Sequence, residues 1–403
     1  MPKRQVTVND LTKFLILPGL KLIGTATLDH RKGILYECET KSTSAFCPHC
    51  GLETKTVHDR RKVTIKDSPL WERKRILLIK KKRYRCEGLG CKKVFTESIP
   101  GINKRARLTQ KFQRHLLFCA QKFSNLKDVK ANLKIGNKTL YKRQYDQLEL
   151  KASESMNNPW PKTIGIDEHS FIKNKKYGYR EFATMIVDYD NKKVRELVPG
   201  RNAGQLELAL NYIPDKHRVQ NVCMDLSSTY RSFARRMFPQ ANIIADKFHV
   251  VRLLNPAINK HRKALVGDRR KAKIGRYLLM NSRRLHPTLR FEIRKWLEDK
   301  PALRKLYATK EAILKLYRTK GHKKARSALI KLTDYLATEQ LKELKTLRKT
   351  LRSWMDEILN HFKTGLTNAR TEGYNNVCKQ LQKRAYGYRS FKNYRLRVLY
   401  ACR

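Results

Sequence analysis

The sequence has no long hydrophobic run, no internal repeat and no low-complexity segment. Its longest early apolar stretch, residues 14–20, contains Pro18 and falls well short of the roughly 18–20 residues that a membrane-spanning helix needs. The opening residues, MPKRQVTVND, lack the apolar core of a signal peptide. These absences predict a cytoplasmic protein that is neither secreted nor inserted into a membrane.

Acidic residues are scarce beside basic ones. The 403 residues include 35 Asp and Glu against 90 Lys and Arg, which gives a formal net charge of +55. So large a positive field repels itself unless a polyanion neutralises it, which argues against an enzyme of small metabolites and for a nucleic-acid partner. A wholly disordered basic tail is also excluded, because 14 Phe and 18 Tyr can build cores. The composition predicts a folded, nucleoid-associated protein.

Nine cysteines, an odd number in a chain without a secretion signal, suggest thiols and metal ligands rather than disulfides. Cys47 and Cys50 form one closely spaced pair, and Cys86 and Cys91 form another. Two such pairs can hold one Zn²⁺ in a tetrahedral Cys₄ site. The alternative is a set of buried free thiols, which we prefer for the other five cysteines. The sequence therefore predicts a structural zinc site within an N-terminal domain, residues 1–102.

Two basic runs, residues 73–75 and 80–85, lie between the two cysteine pairs. A charge run is often only a solvated face. Because these runs lie on a β unit that is held together by the predicted zinc site, we prefer the interpretation that they contact nucleic-acid phosphates.

Residues 126–133 carry apolar side chains at 126, 129 and 133, the spacing of one helical face. A turn containing Gly136 follows, and a second helix is predicted over about 138–149. Many such helical hairpins do not touch DNA, but the adjacent zinc module and the charge favour a helix-turn-helix DNA-binding domain in residues 103–150. The side chains predicted to contact DNA are Lys138, Tyr141, Lys142, Arg143 and Gln144.

From residue 163 to about 251, strand-like and helix-like segments alternate in the order β-β-β-α-β-α-β. This is the order of the ribonuclease-H-like fold. Asp167 ends the core of the first strand and Asp225 follows the fourth, and these strands are neighbours in that fold. Two facing carboxylates repel each other unless a cation lies between them, and oxygen ligands point to Mg²⁺ or Mn²⁺.

A third carboxylate is expected near the start of the last helical region, and Glu372 is the preferred candidate. Asn375, Asn376 and Lys379 follow it on one polar helical face that is predicted to meet metal and DNA. Glu311 is interpreted as solvated surface. Glu168 is expected on the strand face opposite to Asp167.

Five segments carry a resemblance to a known family: IGIDEHSF, VCMDLSSTY, ADKFHVVR, ARTEGYNN and RAYGYRSF. Together with the cysteine pairs and the helical hairpin, they resemble the ISL-three family of bacterial insertion-sequence transposases over nearly the whole chain. The resemblance implies a DDE transposase in which Asp167, Asp225 and Glu372 bind the divalent metal. It also implies that His249 supports the active site, the alternative being a structural histidine.

The expected fold is multidomain, of mixed α+β and α/β class. A zinc-binding β module and a helix-turn-helix precede a ribonuclease-H-like catalytic domain, residues 151–403, which is interrupted by an all-α insertion at about 252–365. The expected activity is cleavage at terminal inverted repeats and transfer to target DNA, by a homodimer or larger assembly on DNA. Two alternatives remain open: a catalytically inactive, transposase-derived DNA-binding regulator, and a structural RNA-binding protein.

Overall fold

The computed structural model describes residues 16–28, 33–71, 73–122, 125–173, 180–266 and 273–403. The chain divides into two compact units, residues 1–149 and 150–403. Within the described ranges, every helix is too short or too polar to cross a lipid bilayer.

The first unit is built on an antiparallel-rich sheet with a small ribbon beside it. Its strands are β1 (Leu20–Leu28), β2 (Gly33–Thr40), β3 (Ala45–Phe46), β4 (Glu53–Thr54), β5 (Val57–Leu70), β6 (Arg73–Arg85) and β7 (Val94–Thr96). The main sheet has the order β1-β2-β6-β5, and β7 pairs with the end of β6. Leu77 and Ile79 alternate with less buried residues along β6 and are fully buried, as expected for one covered face of a sheet.

Three helices complete this part of the chain: α1 (Gln110–Lys122), α2 (Leu126–Leu133) and α3 (Asn137–Ser153). Helix α2 has the bounds that its apolar spacing predicts. The side chain of Asn125 caps its first turn, and Lys134 ends it in the left-handed conformation. Val129 and Leu140 are fully buried in the core that the helices share.

The second unit contains a five-stranded mixed sheet. Its strands are β8 (Thr163–Lys173), β9 (Arg180–Asp188), β10 (Lys193–Pro199), β11 (Asn221–Met224) and β12 (Asn242–Ala245). The strand order is β10-β9-β8-β11-β12; the first three are antiparallel to one another, and β11 is parallel to both β8 and β12. Helices α4 (Ala203–Leu210) and α5 (Ser228–Met237) lie between the later strands in sequence. The predicted adjacency of the first and fourth strands is therefore confirmed.

A long helical region follows the sheet. Its helices are α6 (Lys247–Val251), α7 (Asn255–Val266), α8 (Lys273–Leu279), α9 (Pro287–Leu297), α10 (Pro301–Leu316), α11 (His322–Tyr335), α12 (Lys342–Ser353) and α13 (Met355–Thr364). Prolines start α9 and α10, where the missing N–H costs no helical hydrogen bond. The apolar core of the sheet continues into these helices. Two last helices, α14 (Ala369–Arg384) and α15 (Phe391–Ala401), pack back on the sheet.

Candidate active site and zinc site

Two aspartates meet at one edge of the mixed sheet. In the parallel pairing of β8 with β11, Ile166 is opposite Met224. Asp167, which lies within β8, and Asp225, the first residue after β11, come next on the two strands, so the two carboxylates lie close together where β11 ends. Each carboxylate therefore lies within the electrostatic influence of the other.

The pKa of Asp167 reflects this pairing. Burial, followed by the charge of Asp225, raises the pKa of Asp167 to about 7, although the N–H of Glu168 and the amide of Asn375 act in the opposite direction. Two half-buried carboxylates of this kind are stabilised together when a cation lies between them.

Asp246 and His249 join this pair from the end of β12 and the start of α6. Nδ1 of His249 lies 2.9 Å from Oδ1 of Asp225 and 2.9 Å from Oδ2 of Asp246. Hydrogen bonding to Asp225 first, and to Asp246 second, raises the pKa of His249 to about 10. One potential ligand atom from each of Asp225, Asp246 and His249 lies within 4.8 Å of the others.

The side chains of this cluster form a donor set that suits a divalent cation. Nδ1 of His249 has hydrogen-bond geometry toward Oδ2 of Asp246, while its 2.9 Å contact with Oδ1 of Asp225 is an ion pair. Carboxylates packed this closely are stabilised by a nearby positive charge, which His249 supplies here and a bound cation would also supply. Carboxylate oxygens are the ligands that Mg²⁺ and Mn²⁺ prefer, so the donor set fits either ion.

Glu372 lies in the first turn of α14. Its side chain is exposed and lines the same cleft as Asp246. Helix α14 approaches β8 closely because Gly165 has no side chain there: a Cβ would collide with Oγ1 of Thr371. The side chain of Asn368, just before the helix, also donates to the carbonyl of Ile166 at 3.3 Å.

A chain of hydrogen bonds ties Asp167 to the last helix. Burial lowers the pKa of His169 to about 4, so its ring is neutral near pH 7 and has one N–H. Tyr394 then donates its hydroxyl to Nε2 of His169 at 2.7 Å, and Nδ1–H donates to Oδ1 of Asn375 at 3.0 Å. The amide of Asn375 in turn donates to Oδ2 of Asp167 at 2.5 Å. This chain fixes the orientation of the Asp167 carboxylate.

If Asp167 binds a catalytic metal, as the sequence predicts, Asn375→Ala should lower DNA strand cleavage by about 10–100-fold, the usual cost of losing a group that orients a metal ligand. The expected signature is a higher Mg²⁺ concentration for half-maximal cleavage, measured by metal titration, with unchanged DNA affinity. Gln380→Ala, an exposed change on the same helix, is the control. A metal requirement that stays the same in Asn375→Ala would contradict this role.

Sequence reasoning misjudged several side chains around the site. Asn375 was predicted to share one exposed polar face of the helix with Asn376 and Lys379. It is buried instead, with its amide against Asp167, whereas Asn376 and Lys379 are exposed, as expected. Asp246, in the segment ADKFHVVR, was not among the predicted metal ligands, although it follows a strand just as Asp225 does. Glu311 is not solvated surface, because it accepts from Oγ of Ser282 at 2.6 Å and pairs with buried Lys310.

The carboxylate of Glu168 contacts different residues from those that contact Asp167. Its carboxylate accepts a hydrogen bond from the hydroxyl of Tyr230 at 3.1 Å and pairs with Arg201 at 3.4 Å. These contacts occupy both of its oxygens.

The four cysteines predicted to bind zinc lie together in the first unit. Sγ of Cys47 is 3.8 Å from Sγ of Cys91, and Sγ of Cys50 is 3.4 Å from Sγ of Cys86. A tetrahedron with Zn–S bonds of about 2.3 Å has S–S edges of about 3.8 Å. The cluster therefore has the donor set and the size of a structural Zn²⁺ site.

Backbone amides favour the ionised form of one thiol of this cluster. Burial raises the pKa of Cys47, but the N–H groups of His49 and Cys50 and the neighbouring thiols outweigh it and lower the pKa to about 7. A thiol that ionises near neutral pH is a ready zinc ligand, because the metal binds the thiolate.

The predicted DNA-contacting residues of α3 do not all reach the surface. Lys138, Tyr141 and Lys142 are exposed, and Arg143 is half-buried. Gln144 is only 1% exposed, so its predicted contact with DNA is wrong: it lies on the inner face of the helix. Within the basic runs, Arg75 is likewise buried, in an ion pair with Asp67, and is not available to phosphates.

Comparison with known proteins now defines the class. A family model described as "Transposase" matches residues 164–398, and one described as "zinc-finger of transposase IS204/IS1001/IS1096/IS1165" matches residues 43–91. The first match covers more than half of the chain, and the protein is thus a transposase by family. More specifically, the chain belongs to the ISL3 family, which confirms the resemblance read from its motifs.

A curated relative is similar over almost the whole length. The "Transposase for insertion sequence element IS1001" of Bordetella parapertussis is 25% identical over 370 residues, which covers 88% of this chain and 87% of the relative.

Proposed function

We propose that the protein is a DDE-type transposase that binds the terminal inverted repeats of an insertion sequence and catalyses metal-dependent DNA cleavage and strand transfer. The observation that carries the proposal is the pairing of Asp167 with Asp225 on adjacent strands, where Asp246 and His249 complete a cluster of potential metal ligands around Asp225. The sheet order, with three antiparallel strands followed by two parallel ones, supports a ribonuclease-H-like core.

In this proposal Asp167, Asp225 and Glu372 hold Mg²⁺ or Mn²⁺. When bound, the metal lowers the pKa of the attacking hydroxyl and stabilises the leaving oxygen. Asn375 keeps the Asp167 carboxylate in place, and His249 holds the carboxylates of Asp225 and Asp246 at one edge of the sheet.

Two successive displacements at phosphorus account for the products. Water attacks the phosphodiester at the end of the element and releases a 3′-hydroxyl. That hydroxyl then attacks a phosphodiester of the target DNA, joins the element to it and releases a target 3′-oxygen, which takes up a proton.

We assign the functions to three successive segments of the chain. Residues 1–102 form the zinc-binding module, residues 103–150 the helix-turn-helix, and residues 151–403 the catalytic domain with its helical insertion at about 252–365. The net charge of +55 supports extensive contact with DNA phosphates. We place the reaction in the bacterial cytoplasm on the nucleoid, with a homodimer or larger assembly holding the two element ends.

The test uses the full chain and duplexes that carry the inverted repeats flanking its gene. We expect Mg²⁺ or Mn²⁺ to support nicking at the repeat end and joining to a second duplex, because the site offers oxygen ligands to hard cations. Ca²⁺, with its looser coordination, should support binding with little cleavage. Binding without cleavage in every metal would favour a DNA-binding regulator over an enzyme.

We also expect Lys142→Ala to weaken binding to the repeats by about 10–100-fold, the range for losing one good contact from a recognition helix. Lys323→Ala removes the same charge from an exposed position in α11 and serves as the control. Affinity is measured at several salt concentrations. Equal losses from the two variants would show that only overall charge matters, and would contradict recognition by α3.

A further inference from the structure

A cleft of about 530 Å³ opens beside the acidic cluster in the second unit. Asp246 and Glu372 line one side of it, and residues of α6, α8 and α10 line the rest. Its volume lies within the range of about 300–1,000 Å³ that is typical of small-ligand sites. The cleft can therefore take one organic group next to the proposed catalytic acids, but it cannot take a DNA duplex.

The inner wall is mostly apolar and aromatic. Phe248, Leu279, Met280 and Leu314 contribute half-buried side chains to it. Such a wall suits a flat apolar face and is not explained by a phosphate or a metal ion, which would need polar groups throughout.

Two polar side chains in the wall have different roles. The ammonium group of Lys310 donates to the carbonyls of Leu278 and Met280 and pairs with Glu311, which uses its three donors. The residue Tyr317, by contrast, is only 7% exposed, and its buried hydroxyl has no hydrogen-bond partner among the described residues. A ligand with a donor or acceptor at its edge would satisfy it.

The mouth of the cleft is basic. Lys247, Arg252, Arg284 and Arg318 line it, and the guanidinium of Arg252 lies 3.2 Å from the centre of the Phe248 ring. These features match a nucleotide. Its base would pack against the apolar wall and bond to the one unsatisfied polar group, and its phosphates would pair with the cations at the mouth.

We propose that this cleft binds one nucleotide that leaves the base stack of the DNA next to the reacting phosphate. The inference rests on the proposed function, because it assumes that a DNA strand reaches Asp246 and Glu372. When one base leaves the stack, the DNA backbone beside it can approach Asp246 and Glu372, which a closed duplex cannot reach. The lost stacking and pairing cost a few kcal/mol. The base lies along the apolar wall with an edge at Tyr317, and Arg252 and Arg318 contact the flanking phosphates.

The test uses duplexes that carry the inverted repeats flanking the gene, with 2-aminopurine placed at one position at a time around the cleaved phosphate. The full chain is added in Ca²⁺, so that the measurement does not depend on cleavage. We expect a several-fold rise in fluorescence at one or two adjacent positions, because this base emits when it is unstacked. If the repeats are bound and no position responds, the proposal is wrong.

Two variants connect that signal to the cleft. Leu314→Trp fills the wall and should abolish the rise and lower cleavage by about a hundred-fold, the scale of loss for a misplaced reacting group, while the repeats still bind. Tyr317→Phe removes one hydroxyl and should reduce the rise without changing the fold. Ile330→Trp, an exposed position on α11 away from the cleft, is the control for the added ring. A rise that survives in Leu314→Trp would overturn the assignment.

An abasic nucleotide at the responding position provides a rescue. It has no base to accommodate, so Leu314→Trp should cleave this substrate nearly as fast as the unchanged protein does. A variant that stays slow on the abasic substrate is damaged in some other way, which would contradict the proposal. A fluorescence rise in a protein that never cleaves would contradict the proposed function and leave the nucleotide site standing.

Discussion

Asp225→Asn is expected to abolish strand cleavage and joining while binding to the terminal repeats persists. The change keeps the size of the side chain but removes the charge that holds a hard cation. The loss of several kcal/mol of transition-state stabilisation corresponds to about a thousand-fold or more in rate. Asp167→Asn and Glu372→Gln should have the same effect. The measurement is single-turnover cleavage of a labelled repeat end, with affinity determined in parallel.

The control for this series is Asp299→Asn, which removes a charge from a side chain that is 75% exposed. Its cleavage rate should be unchanged. The series also tests the choice of the third acid, since Asp246 lies in the cluster and Glu372 only lines the adjoining cleft. If Glu372→Gln cleaves at a near-normal rate and Asp246→Asn is inactive, the third metal ligand is Asp246 and not Glu372.

Loss of the zinc should unfold the module around the cysteine pairs. Its own apolar core is small, consisting of Cys47, Tyr84, Cys86 and Phe95 with a few partly buried neighbours. Small modules of this kind gain about 10–16 kcal/mol from zinc near neutral pH, which exceeds what such a core supplies. We expect one zinc per chain, lost in Cys86→Ser, together with rapid proteolysis within residues 43–96.

His49→Ala and His58→Ala are the matched controls for zinc binding. Both histidines are exposed, lie near the cysteine pairs and are absent from the metal-sized cluster. Their zinc content and protease resistance should equal those of the unchanged protein. Full zinc occupancy in Cys86→Ser, or its loss in His58→Ala, would show that the ligand set is different.

Sequence patterns predicted the elements of the fold better than they predicted the directions of single side chains. The succession of strands and helices along the chain and the limits of α2 follow from hydrophobic periodicity, which averages over several residues, whereas the adjacency of β8 and β11 was expected from the ribonuclease-H-like order. On a helix, however, neighbouring residues point about 100° apart, so an error of one position in the helical phase exchanges the inner and outer faces. This is why Asn375 was not separated from Asn376, and why Gln144 was expected at the surface.

Partners that are distant in sequence account for the other differences. Nothing near Glu311 in sequence indicates that Ser282 and Lys310 occupy its carboxylate. Asp246 carried a usable signal in its position at the end of β12, but its relation to Asp225 depends on strand pairing across the sheet. The cysteine pairs were predictable because the spacing of a zinc knuckle is local.

The hydrogen-bond chain from Tyr394 to Asp167 has a consequence for degenerate genomic copies of the element. A reading frame that stops before the codon for Tyr394 still encodes every acid of the candidate site, yet it lacks α15 and the hydroxyl that starts the chain. We expect such copies to be inert and to move only when an intact protein is supplied from elsewhere. Counting acidic codons alone would therefore overstate the number of self-mobile elements in a genome.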